Sequence, residues 1–174
     1  MQQEVVSENR MSTEVARNGG KVPLLVRTTS PTHFALALLA ALGLQRIAPI
    51  PLPAQDSQQT IQVIGGLLAE LGLAAAVVCF VLFAWRRTTF IPEGTPSRLV
   101  IQGPYRVSRN PMYVSLVLSY VGLAGVLLLP WALVLLPLPL LALQRVLIPF
   151  EEARLRAEFG RDYERYCQRV RRWL

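Results

Sequence analysis

Residues 111–152 read PMYVSLVLSYVGLAGVLLLPWALVLLPLPLLALQRVLIPFEE, and this stretch decides the fold. Between positions 113 and 149 the only charged side chain is Arg145. Pro130 divides the stretch into runs 113–129 and 131–149. Each is close to the roughly 20 residues that carry a helix across a hydrocarbon layer about 30 Å thick. No polar loop separates them, so they read as a tight helical hairpin. Pro137 and Pro139 kink its second arm, because proline lacks the amide proton an inner helical turn needs.

Upstream, the run 61–85 is long enough to span with room for tilt and stops at Arg86-Arg87. An earlier run, 34–52, contains Arg46 and ends in Pro49, Pro51 and Pro53. It reads as a first span; a signal peptide cut near Ala54 is the alternative, disfavoured by the long polar segment before it and by Arg46. Residues 1–33 are polar, broken at Asn18-Gly19-Gly20, and read as a disordered tail. The expected fold class is an all-α integral membrane protein with about four transmembrane helices. The membrane domain is then 34–174, with spans 34–52, 61–85, 113–129 and 131–149, a loop 90–112 and an amphipathic helix over 150–173.

The composition agrees. In 174 residues, 52% are hydrophobic and 17% charged, yet the net charge is +7, from 18 Lys and Arg against 11 Asp and Glu. The two properties are segregated, which argues against an ordinary globular enzyme and against nucleic acid as a partner. The stretches 1–33, 86–112 and 145–174 hold four, five and eight basic residues, while 53–60 holds none. With four spans these basic segments share one side, which should be the cytoplasm. Both termini are then cytoplasmic in a multi-pass protein, with a bacterial inner membrane as the expected location. Only Arg46 is left over. Cys79, Cys167 and the single histidine, His33, offer no metal-ligand spacing and no disulfide framework.

The chemistry should lie in the two cytoplasmic segments. Gly103-Pro104 is a turn signal, and Asn110-Pro111 is a helix start, Asn being a favoured N-cap and Pro a favoured first residue. Free backbone N–H groups around Met112 and Tyr113 would attract an anion, although ordinary capping explains the same residues. Downstream, Leu155, Phe159, Tyr163, Tyr166, Val170 and Trp173 recur at helical spacing and outline an apolar face. By itself such a helix lies on an anionic membrane surface. Glu151-Glu152 sits where the fourth run leaves the bilayer and suits either a solvated helix end or a bound cation. Glu70 and Arg46, ionisable residues inside apolar runs, are functional candidates by default, with structural pairing an equal alternative.

The string Gly103-Pro104-Tyr105-Arg106-x-x-Arg109-Asn110-Pro111-Met112-Tyr113, an apolar hairpin, then Glu151-Glu152-x-x-Leu155-x-x-x-Phe159-Gly160-x-x-Tyr163-x-x-Tyr166, resembles the isoprenylcysteine carboxyl methyltransferase family. It is similar, more distantly, to the phospholipid methyltransferases. The likeness covers roughly residues 60–174. It implies a membrane enzyme that moves a methyl group from S-adenosylmethionine to a lipophilic acceptor entering from the bilayer. By position it implies cofactor contacts at Ser97, Arg98, Leu99, Val100, Tyr105, Asn110, Pro111, Met112, Tyr113 and Glu151. The family usually has Arg-His-Pro where this chain has Arg109-Asn110-Pro111; asparagine keeps a hydrogen-bonding role and loses any that needs an imidazole. The family's substrate-binding arginine falls near position 147, and Arg145 is the nearest match.

The residue chemistry fits that expectation. A carboxylate suits the helix start at 110–113, and a sulfonium cation suits Glu151 and the faces of Tyr105 and Tyr113. A carboxylate acceptor is already ionised at neutral pH, so alignment and exclusion of water matter more than a base. An amine acceptor would need one, and Glu152 is the candidate. Phospholipid N-methylation is therefore the alternative within the class. A non-catalytic membrane scaffold with a basic lipid-binding tail is the alternative outside it.

Overall fold

The computed structural model describes residues 30–85 and 99–174, and among them there is no strand. The elements are α1 (Ser30–Ile47), α2 (Gln55–Trp85), a 3-10 turn (Gly103–Arg106), α3 (Pro111–Val126), α4 (Pro130–Leu135), α5 (Pro137–Ala142), a π segment (Leu143–Leu147) and α6 (Ile148–Arg169). From α4 to α6 the elements follow one another with no connecting loop. Two helical stretches, Gln55–Leu82 and Pro130–Arg169, are long and apolar enough to cross a membrane, and α3 is a shorter apolar helix. Helix α1 begins at Ser30, inside the stretch expected to be tail. The Arg86-Arg87 stop and the basic residues of the tail lie outside the described residues.

Specific contacts fix how the helices run. Gln62 at the start of α2 donates through Nε2 to the carbonyl of Val126 at the end of α3, 3.1 Å away. The other end of α2 meets the turn before α3, Leu82 lying beside Gly103. These two helices are antiparallel. Helix α1 starts at Ser30, which lies beside the Tyr113 phenol. Past its far end, the carbonyl of Ala48 accepts from Trp131 Nε1 at 2.7 Å. Thus α1 runs with α3 and against α4, an up-down-up-down bundle.

Small residues bring α2 and α3 into the most extensive helix contact of the fold. Gly65, Ala69 and Gly72 face Ser115, Ser119, Gly122 and Gly125. A Cβ on Gly65 would lie 2.8 Å from the Gly122 carbonyl oxygen, and one on Gly122 would lie 2.7 Å from both Ala69 Cα and the Gly65 carbonyl oxygen. The backbones themselves touch. In lipid, where apolar side chains gain nothing by leaving the tails, such close approach is what drives helices together. The outer face of α2 is the reverse, with Leu67 64%, Leu71 60%, Leu73 63% and Phe80 52% exposed. An apolar belt of that extent suits hydrocarbon rather than water.

The α3–α4 hairpin is as tight as the sequence suggests. Three residues link the helices, and Leu128 takes φ 48°, a left-handed conformation that leucine rarely adopts. Leu129 N–H closes the turn on the Ala124 carbonyl at 2.9 Å, and Pro130 opens α4. Around it packs the apolar core: Phe34 against Tyr120 edge-on at 5.4 Å, with Leu129, Leu143, Leu147 and Ile148. Tyr120 Oη donates to the Ala132 carbonyl at 2.9 Å and so pins the two arms together.

Two features depart from the sequence reading. The fourth run widens into a π segment at Leu143–Leu147. Pro149, just beyond it, offers no N–H and its ring crowds the carbonyl four residues back, so a wider turn relieves the helix there. The C-terminal helix, expected over 150–173, ends instead at Arg169, because Val170 is extended (φ −124°, ψ 132°). It also breaks at Gly160, whose φ of 47° few other residues tolerate. Trp173 therefore reaches the core from an extended tail rather than from a helix face.

Candidate functional site

One end of the bundle gathers the 3-10 turn, the start of α3, the first turns of α6 and the tail after Arg169. Pro111 is the first residue of α3, as expected, and it is buried. Asn110 occupies the N-cap position without capping. Its backbone N–H donates to Ser108 Oγ at 3.1 Å, and its Nδ2 donates to the Arg172 carbonyl at 2.9 Å. The capping role expected of this side chain is thus replaced by a grip on the tail. The Asn110 carbonyl starts the helix, accepting from Tyr113 N–H at 3.0 Å and Val114 N–H at 3.1 Å. Met112 supplies its carbonyl to Ser115 Oγ at 2.7 Å.

Tyr113 and Glu151 meet directly. The phenol donates to Glu151 Oε1 at 2.6 Å, joining the first turn of α3 to the first turn of α6. Glu151 is half-buried. This is the strongest pairing among the residues the sequence singled out. Tyr105 is buried in the 3-10 turn, and its carbonyl accepts from Tyr166 Oη at 2.7 Å. Burial pushes the Tyr105 phenol well above its ordinary range, so it stays a neutral donor at any physiological pH.

Glu152, expected as a base, is 2% exposed and held by two guanidinium groups. Arg172 grips it with two prongs, Nη2 to Oε2 at 2.7 Å and Nε to Oε1 at 3.1 Å. Arg109 Nη1 adds a contact to Oε1 at 3.3 Å. A carboxylate taken this far out of water is tolerable only with such partners. Arg109 also hydrogen-bonds the Cys167 sulfur, while its Nε is buried with no partner among the described residues.

The remaining expected residues fall less centrally. Leu99 and Val100 are half-buried ahead of the turn, and Ser97 and Arg98 lie outside the described residues. Arg145 is exposed on the π segment. Sequence reasoning missed Ser108, Arg109, Tyr166, Cys167 and Arg172 as members of the cluster. Arg109 stands inside the quoted motif without a role there, and only the burial of Glu152 in the structure shows that a counter-charge is needed. Nothing periodic marked Arg172, which sits beyond the helix. No group of three or more His, Cys, Asp or Glu able to hold a metal exists among the described residues.

The sequence model of the phospholipid methyltransferase family matches residues 61–162. Two proteins named probable protein-S-isoprenylcysteine O-methyltransferase, from Oryza sativa subsp. indica and subsp. japonica, are each 38% identical over 73 residues. The matched stretch is 42% of this chain and 38% of each relative, so the chain aligns with well under half of their length. No solved structure matches the chain.

Proposed function

The chain belongs to the phospholipid methyltransferase family, and from that premise we propose that it transfers a methyl group from S-adenosylmethionine to a lipophilic, membrane-embedded acceptor, a carboxylate in the leading reading. The observation that carries this is the Tyr113–Glu151 pair, set where the loop, α3 and α6 meet at one end of the bundle. On this reading α1, α2, α3 and the α4–α5–π stretch are the spans, and the site lies at their cytoplasmic boundary with both termini on that side.

The residues present suit such a cofactor. Glu151 has one oxygen taken by the Tyr113 phenol and offers the other to hydroxyl groups or to a cation. Tyr105 and Tyr113 offer aromatic faces to a sulfonium. The buried Arg109 Nε has no partner among the described residues, and an anionic end would satisfy it. Ser97, Arg98, Leu99, Val100, Asn110, Pro111 and Met112 complete the proposed contact set from the loop side. When bound, S-adenosylmethionine supplies an electrophilic methyl group on a positively charged sulfur.

What the protein then contributes is placement. Transfer forms one carbon–oxygen bond, breaks one carbon–sulfur bond and neutralises two opposite charges, and a carboxylate acceptor releases no proton. Tyr105 and Tyr163 are buried, and on this reading they help keep water from the reacting groups. Arg145, exposed on the π segment, is the proposed contact for an anionic end of the acceptor. Glu152 is engaged by both Arg109 and Arg172, and on this reading it holds the loop rather than serving as the base. The family's name favours a second reading, N-methylation of a phospholipid amine.

Membranes containing the protein, incubated with cofactor labelled on the methyl group, should yield a lipid-extractable product whose label is released by mild base. A base-stable label would replace the ester reading with N-methylation. No label in the lipid fraction, against a positive control enzyme, would overturn the function.

A further inference from the structure

Past Arg169 the chain stops being helical and lies across the loop that precedes α3. Hydrogen bonds hold it there. Arg109 N–H donates to the Arg171 carbonyl at 2.8 Å. The Arg172 carbonyl accepts from Asn110 Nδ2 at 2.9 Å and from Ser108 Oγ at 3.3 Å. The Arg172 side chain turns the other way and grips Glu152. Beyond it, Trp173 packs against the apolar core and anchors the segment. The extended backbone at Val170 makes this possible, since a continuing helix would aim its carbonyls along its own axis instead of sideways at the loop.

We propose that residues 170–173 form a strap that positions the site, with Arg172 as its positioning residue. The inference rests on the methyl-transfer reading of that site. Arg172 touches both halves of it. Its carbonyl fixes Asn110, adjacent to the first residue of α3 and three positions before Tyr113. Its guanidinium fixes Glu152, adjacent to Glu151. The 2.6 Å Tyr113–Glu151 pair spans those same two halves, so the strap sets the distance across which the pair forms. Arg109 closes the clamp from the loop side, bonded to the strap through its backbone and to Glu152 through its side chain. Asn110, on this account, serves the strap through its amide nitrogen as well as standing in the proposed contact set.

The test uses the whole protein in lipid nanodiscs, as wild type, Arg172→Gln and Arg172→Lys. Hydrogen exchange is followed over residues 106–112 without cofactor, and S-adenosylmethionine affinity and turnover are measured alongside. Arg172→Gln should speed exchange in that loop at least tenfold and weaken cofactor binding at least tenfold. Arg172→Lys, which keeps the charge but loses the two-pronged grip, should recover part of both. It also carries the test if the glutamine variant does not fold. Unchanged loop exchange overturns the strap. Faster exchange with affinity and turnover within twofold of wild type overturns the positioning role. A wild-type protein that does not bind S-adenosylmethionine removes the functional reading, while the exchange comparison still decides whether the strap holds the loop.

Discussion

Replacing Gly122 by leucine is expected to leave no stable bundle. A Cβ at this position already lies 2.7 Å from Ala69 Cα and from the Gly65 carbonyl oxygen, and the atoms in the way are backbone. Backbone cannot rotate aside, so α2 and α3 must separate along their length. The separation also breaks the contacts of Gly65 and Gly72, because both depend on the same close approach. In a soluble core, overpacking typically costs about 1–3 kcal/mol when side chains can shift. Here the loss should exceed that range, since the atoms that a Cβ meets are backbone and no side chain can turn away to relieve them. Gly66 on the same helix has open space around it, with nothing within 4 Å of where a Cβ would stand, which makes Gly66→Leu the matched control. Thermal unfolding in detergent should show Gly122→Leu without a cooperative transition or with a much lower midpoint, and Gly66→Leu near wild type. Equal behaviour of the two variants would contradict the packing described for α2 and α3.

Replacing Glu152 by alanine should be the most damaging change at the site itself. It strands the guanidinium groups of Arg109 and Arg172, whose side chains are 14% and 31% exposed, beside an apolar gap. Removing one partner of a buried ion pair costs about 3–5 kcal/mol, because the charge left behind is uncompensated. The partly exposed Arg172 can recover some hydration, which places the expected loss toward the lower end. Glu152→Gln retains acceptor capacity in one atom and should fall between alanine and wild type. Chemical denaturation in mixed micelles checks the order. If alanine and glutamine variants were as stable as wild type, the clamp would carry no energetic weight.

The hairpin was legible because its logic is local: an apolar run, a proline at the break and no polar loop. Pro111 as the first residue of α3 was legible for the same reason, since proline suits that position whatever surrounds it. The tail was not. Val170 and Trp173 continue the apolar spacing of α6, and only contacts from a loop some sixty positions away draw the chain out of the helix. The π segment hid similarly, as Pro149 signals a disturbed turn without saying how the turn will adjust. At the site, Tyr113 and Glu151 stand out separately in the sequence, and the structure supplies the bond between them. Glu152 reads as a free carboxylate in sequence because its partners come from two distant segments, one before α3 and one after α6. Small residues along α2 and α3 carried no meaning in sequence until the helices were set side by side.

Calorimetric titration of S-adenosylmethionine into the detergent-purified protein tests the central claim most directly. The account predicts saturable binding to wild type and its loss when Glu151→Ala and Tyr113→Ala are combined, with the double variant still folded by thermal unfolding. Absence of binding to wild type, or binding that the double substitution leaves unchanged, would contradict it.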